Sequence, residues 1–128
     1  MFYERDYQEV VISPEILASA DFNAFTQTVR PDNVTADAYG KKIVKRGCFI
    51  DANGDVATIE ESGGSFAFTT APIGVLFEDA DVTFGNAAVS IIERGFLKGN
   101  KLYYGEDVDY DATIKETVET ALPHIILK

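Results

Sequence analysis

The chain has 128 residues, 46% hydrophobic and 25% charged, which suits one domain with one substantial core. Its 11 basic and 21 acidic residues give a net charge of −10, which opposes nonspecific binding to nucleic acid or an anionic membrane, since both need a positive field. A single cysteine (Cys48) and a single histidine (His124) exclude an intrachain disulfide framework, a cysteine-based zinc site and a multi-histidine metal centre.

Residues 1–12 read as extended. Glu4 and Asp6 stand where a secretory signal would carry only basic residues, and no apolar run follows. No stretch approaches the ~20 apolar residues of a spanning helix, so the expectation is a protein kept in a cytosol or assembled there into something larger. Val10, Val11 and Ile12 favour β-structure, which makes this segment an edge strand or a terminal arm. Ser13-Pro14-Glu15 has the order of a helix start, serine as N-cap and proline at the first helical position. Ile16, Leu17 and Phe22 then predict one short amphipathic turn, or else a plain loop.

Pro31-Asp32-Asn33 and Tyr39-Gly40 are turn signals. Lys41, Lys42, Lys45 and Arg46 follow, flanking Ile43 and Val44, as the basic cluster of the chain. It reads either as the solvated face of a strand or as a docking patch for an acidic partner.

From Gly47 to Glu93 there is no lysine or arginine but there are eight acids. Short apolar runs alternate with turns here, predicting strands at Cys48–Ile50, Val56–Ile59, Phe66–Thr70, Ile73–Phe77 and Asn86–Ile92. Asn53-Gly54 between two such runs predicts a type I′ hairpin. Ser62-Gly63-Gly64-Ser65 reads as a flexible loop, and Lys98–Leu102 as a further turn. Near the C-terminus, Ile114, Val118, Ala121 and Leu122 share one helical face. Thr113 and Glu116 have capping-box spacing, and Pro123 ends the helix. His124–Lys128 can return as a last strand. The fold class expected is α+β, mainly β: a compact antiparallel, small barrel-like domain over 13–128 with one C-terminal helix, and an N-terminal arm or edge strand over 1–12.

Candidate chemistry is sparse. Asp51, Asn53 and Asp55 start like a calcium loop, but Val56 stands where that loop needs glycine and Ser62 where it needs glutamate, so a hairpin turn accounts for them. Glu78, Asp79 and Asp81 could pair as acid and base or hold a cation, yet they also suit an acidic turn. His124 has no nucleophile motif beside it and suits a helix end. Cys48 reads as a small core residue. The glycines form neither a dinucleotide fingerprint nor a Walker sequence. These readings imply no catalytic, cofactor or metal site.

The block Ile43–Val56, continuing through Pro72-Ile73-Gly74-Val75-Leu76-Phe77-Glu78-Asp79-Ala80-Asp81-Val82-Thr83 and Gly85-Asn86-Ala87-Ala88-Val89-Ser90-Ile91-Ile92-Glu93-Arg94-Gly95-Phe96-Leu97, resembles the head decoration proteins of tailed bacteriophages, the small capsid-cementing proteins of the lambda-like type. The resemblance covers roughly residues 41–102, with the flanks looser. It implies a non-enzymatic homotrimer that binds the major capsid protein on the outside of the expanded head and clamps it against packaged DNA. It implies no cofactor, no nucleic-acid partner and no membrane. An aromatic terminal segment can add as a strand to a capsid sheet edge, which makes Phe2, Tyr3, Tyr7 and Val10 the candidate capsid-binding residues; avidity from three arms would offset the entropy each arm loses. A tail-tube or other virion component, and a small enzyme with an acidic site, are the alternatives.

Overall fold

A computed structural model describes residues 16–106 and 108–128. Among the described residues the strands are β1 (Leu17–Val29), β2 (Ile43–Val44), β3 (Phe49–Asp51), β4 (Val56–Ala57), β5 (Ile59–Ser62), β6 (Ser65–Phe68), β7 (Pro72–Leu76), β8 (Ala80–Asp81), β9 (Ala87–Leu97) and β10 (Ile125–Leu127), and the α-helix is α1 (Ala112–Ala121). The main sheet runs β1-β9-β7-β3-β4, and β10 also pairs with β9. Two small ribbons, β2-β8 and β5-β6, form separate sheets. The expected mainly-β α+β class therefore holds, but among the described residues no barrel closes: the main sheet runs from β1 at one edge to β4 at the other.

Alternation along the central strands divides the apolar side chains between the two faces. Phe49, Val75 and Ile92 are cross-strand neighbours and belong to one buried cluster with Leu97, Ile114 and Val118. Ile50, Leu76 and Ile91, each one residue away, belong to a second cluster with Val29, Val44, Ala80 and Val82. The β5-β6 ribbon and α1 cover the first cluster, through Ile59, Phe66, Phe68 and Ile114; the β2-β8 ribbon covers the second. A register shift between Ala24 and Asn23 leaves Glu93 of β9 without a partner. That extra residue changes the parity of β9, so Ile92 and Leu97 both enter the first cluster.

Several local expectations are corrected. Residues 17–29 are a long strand, not a helical turn or loop. Pairing with β9 along most of its length, and the β-forming content of Phe22, Phe25, Thr26, Thr28 and Val29, make it a strand; the helix start expected at Ser13-Pro14-Glu15 lies outside the described residues. β9 runs through Gly95 instead of stopping there, and β10 joins it in parallel, departing from the expected antiparallel pattern. The turn at Asn53-Gly54 has a three-residue loop: Asp51 N–H donates to the Asp55 carbonyl and Gly54 N–H to the Asp51 carbonyl, with Gly54 at φ +86°. A type I turn followed by a left-handed glycine fits this pattern, whereas type I′ has only two loop residues. The tight two-residue hairpin lies instead at Gly63-Gly64, φ +61° and +86°, between paired Ser62 and Ser65. It was expected as a flexible loop. Helix α1 starts two residues earlier than the capping box implied: Asp111 is the N-cap, its Oδ1 accepting from Ile114 N–H at 2.9 Å. Thr113 lies inside the helix, where its carbonyl accepts from the Thr117 hydroxyl.

Candidate functional site

The acids that could have formed a catalytic or cation site each serve a local structural bond. Asp51 is the one buried charged residue among those described; its Oδ1 accepts from Asn53 and Asp55 N–H and its Oδ2 from the Thr70 hydroxyl. Asp55 faces Arg30 at 2.6 Å, and this hydrogen bond raises the Arg30 pKa. Glu78 accepts from Ser90 N–H, Asp79 from Arg46 N–H, and Asp81 from both the amide and hydroxyl of Thr83. The Thr83 hydroxyl and amide hold the Asp81 carboxyl below its ordinary range. The three acids of this turn thus bond to three different partners. Among the described residues no group of three or more His, Cys, Asp or Glu is arranged to hold a metal.

The other singled-out side chains follow the same pattern. Cys48 is buried, and burial pushes its thiol up to about 11, which keeps it protonated and a poor nucleophile at neutral pH. His124 is exposed in the turn between α1 and β10, where its backbone carbonyl accepts from Gly95 N–H. Phe2, Tyr3, Tyr7 and Val10, the candidate capsid-binding residues, lie outside the described residues.

The basic cluster stands beside a feature that the sequence reading did not single out. Residues 37–41 form a loop closed by Asp37 N–H to the Lys41 carbonyl and Gly40 N–H to the Asp37 carbonyl. Asp37 Oδ1 accepts from Tyr39 N–H at 2.8 Å and Lys41 N–H at 3.0 Å. The bonding is the same as in loop 51–55, where Asp51 takes the part of Asp37. The surroundings differ. Gly54 packs against the backbone of β1, whereas around Gly40, at φ +78°, there is open space. Tyr39 is 88% exposed at the tip.

A second loop lies against the first. Lys42 N–H donates to the Thr83 hydroxyl at 2.9 Å, and Val82 N–H donates to the Lys42 carbonyl at 2.8 Å. The Asp81 bonds to Thr83 and the Gly85 N–H to Val82 carbonyl bond hold its shape. Phe84, at its tip, is fully exposed. Two hydrogen-bonded loops therefore display Tyr39 and Phe84 next to Lys41 and Lys42, with the ribbon beneath them anchored through buried Val44, Ala80 and Val82. Exposed aromatics on rigid supports lose little entropy on binding and are the usual anchors of protein interfaces. The available sequence signal was an aromatic directly before a turn glycine, in Tyr39-Gly40 and Phe84-Gly85.

No protein-family model, curated protein or solved structure matches this chain. Among the described residues no helix is long and apolar enough to cross a membrane.

Proposed function

We propose that the chain is a non-enzymatic structural protein of a tailed-bacteriophage head, a homotrimer that binds the outer surface of the expanded capsid and stabilises it against the pressure of packaged DNA. The reading rests on the resemblance carried by residues 41–102. The observation that best supports it is the displayed pair Tyr39 and Phe84, an exposed apolar feature of the kind that marks contact with another protein. The local use of Asp51, Asp79 and Asp81 fits the same reading, because each carboxylate is engaged in holding a turn. Residues 1–12 supply the capsid-binding arm, with Phe2, Tyr3, Tyr7 and Val10 as its anchors.

Heating DNA-filled heads of the source phage with and without this protein tests the stabilising role. Heads carrying the protein are expected to release DNA at a higher temperature than bare heads. Identical release temperatures, under conditions where the protein stays bound, would overturn it.

A further inference from the structure

Tyr39 and Phe84 need a partner surface that is apolar, and Lys41 and Lys42 beside them need it to be acidic. The chain carries such a surface on its other side. Between β6 and α1 runs an open groove of about 470 Å³, lined by Phe66, Phe68, Pro72, Ala121 and Glu116. That volume is in the range of clefts that enclose small ligands. Glu116, exposed on α1, gives this apolar groove an acidic wall. No lysine or arginine lines the groove.

The topology decides whose groove the aromatics can reach. The loops at 37–42 and 81–85 extend from the β2-β8 ribbon, which covers the Ile50–Leu76–Ile91 face of the main sheet. The groove belongs to the β5-β6 ribbon and α1, which cover the Phe49–Val75–Ile92 face. Knob and groove therefore sit on opposite sides of one sheet, and the rigid bonding of both loops keeps a knob from its own groove.

We propose that the Tyr39–Phe84 knob of one copy seats in the β6–α1 groove of a second copy. The contact is front to back, so each copy offers one knob and one groove. Such a heterologous contact closes into a ring when the rotation between copies allows, and the homotrimer of the proposed function is a ring of this kind. The inference rests on that self-association and names the surfaces that make it. Lys41 and Lys42 approach Glu116 across the contact, so rising salt weakens it.

Sedimentation velocity of the full chain over a wide concentration range is the test. The wild type is expected to self-associate, less so at high salt. Each single truncation, Tyr39→Ser or Phe84→Ser, is expected to weaken association about 30-fold, as for an interface anchor. The double knob variant, Tyr39→Ser with Phe84→Ser, and a groove variant, Ala67→Arg with Ala121→Arg, are each expected to be monomeric. All four positions are exposed, so an unchanged circular dichroism spectrum and urea midpoint show that the fold is intact. Mixed together, the two variants are expected to form a dimer and nothing larger, because the only sound knob then meets the only sound groove. A double knob variant that assembles like the wild type, or a mixture that stays monomeric, would overturn the pairing. A wild type that is monomeric throughout but binds phage heads would overturn the pairing and leave the capsid reading standing. Knob-dependent assembly without head binding would do the reverse.

Discussion

Loops 37–41 and 51–55 share one backbone design, and the contrast between their glycines gives a sharp stability test. Replacing Gly40 by alanine puts a β-carbon on a residue at φ +78° with nothing within 4 Å of it. The left-handed conformation costs alanine about 1–2 kcal/mol, part of which the stiffer unfolded chain offsets, leaving about 1 kcal/mol. Gly54→Ala carries the same local cost at φ +86°, but its β-carbon would lie 2.3 Å from the Thr28 carbonyl oxygen. Thr28 is paired with Ala88 in the main sheet, so its backbone has little freedom to yield. The loop must lift instead, stretching the 2.9 Å bond from Arg30 N–H to the Gly54 carbonyl and the 2.6 Å Arg30–Asp55 pair.

The lost backbone bond is worth about 1 kcal/mol. The ion pair adds little, because the Arg30 side chain is 37% exposed and water screens it. Gly54→Ala is therefore expected to destabilise by about 2 kcal/mol against about 1 kcal/mol for Gly40→Ala. Urea unfolding measures both, as a shift of midpoint at unchanged slope. Losses within about 0.5 kcal/mol of each other would show that the 51–55 loop does not anchor β1 to the β3-β4 hairpin.

Three further outcomes follow from the same structure. Burial works to raise the Glu119 carboxyl, but Leu127 N–H, Lys115 and Lys128 outweigh it and hold the group below its ordinary 4.5; a depressed acid gives stability that is present above the unfolded value and is lost as pH falls through the folded one, so Glu119→Gln is expected to flatten the acid-side fall in Tm below about pH 4.5, and parallel pH profiles would contradict this. Cys48, buried and pushed up to about 11, is expected to react with a thiol reagent at pH 8 only slowly in the native protein and rapidly in urea; equal rates would contradict its burial. Deleting residues 2–9 is expected to abolish binding to phage heads while leaving the urea midpoint and the oligomer unchanged, and undiminished binding would remove the arm from the mechanism.

The sequence read most reliably where one element decides its own structure. The apolar spacing of Ile114, Val118 and Leu122 located α1 because a helix buries one face by a local rule. The turns at Asp51–Asp55 and the strand at Ile73–Leu76 were legible for similar reasons. β1 was not, because its stability comes from a partner about seventy residues away, and Ser13-Pro14 gives a competing local signal. The type of the Asn53-Gly54 turn was misread because Asp51, not the dipeptide, sets the loop length through its two side-chain bonds. Openness of the sheet was illegible as well, since strand lengths and turns are the same whether or not the edges meet. On the surface, Lys41 and Lys42 were visible as a basic cluster, but the display of Tyr39 and Phe84 beside them depends on a cross-chain bond from Lys42 to Thr83. No local pattern announces that bond.

Co-sedimentation of the purified protein with expanded heads and with unexpanded proheads of its source phage tests the central claim most directly. The account predicts saturable binding to expanded heads and none to proheads. Absence of binding to either form, by protein that is folded and at saturating concentration, would contradict it.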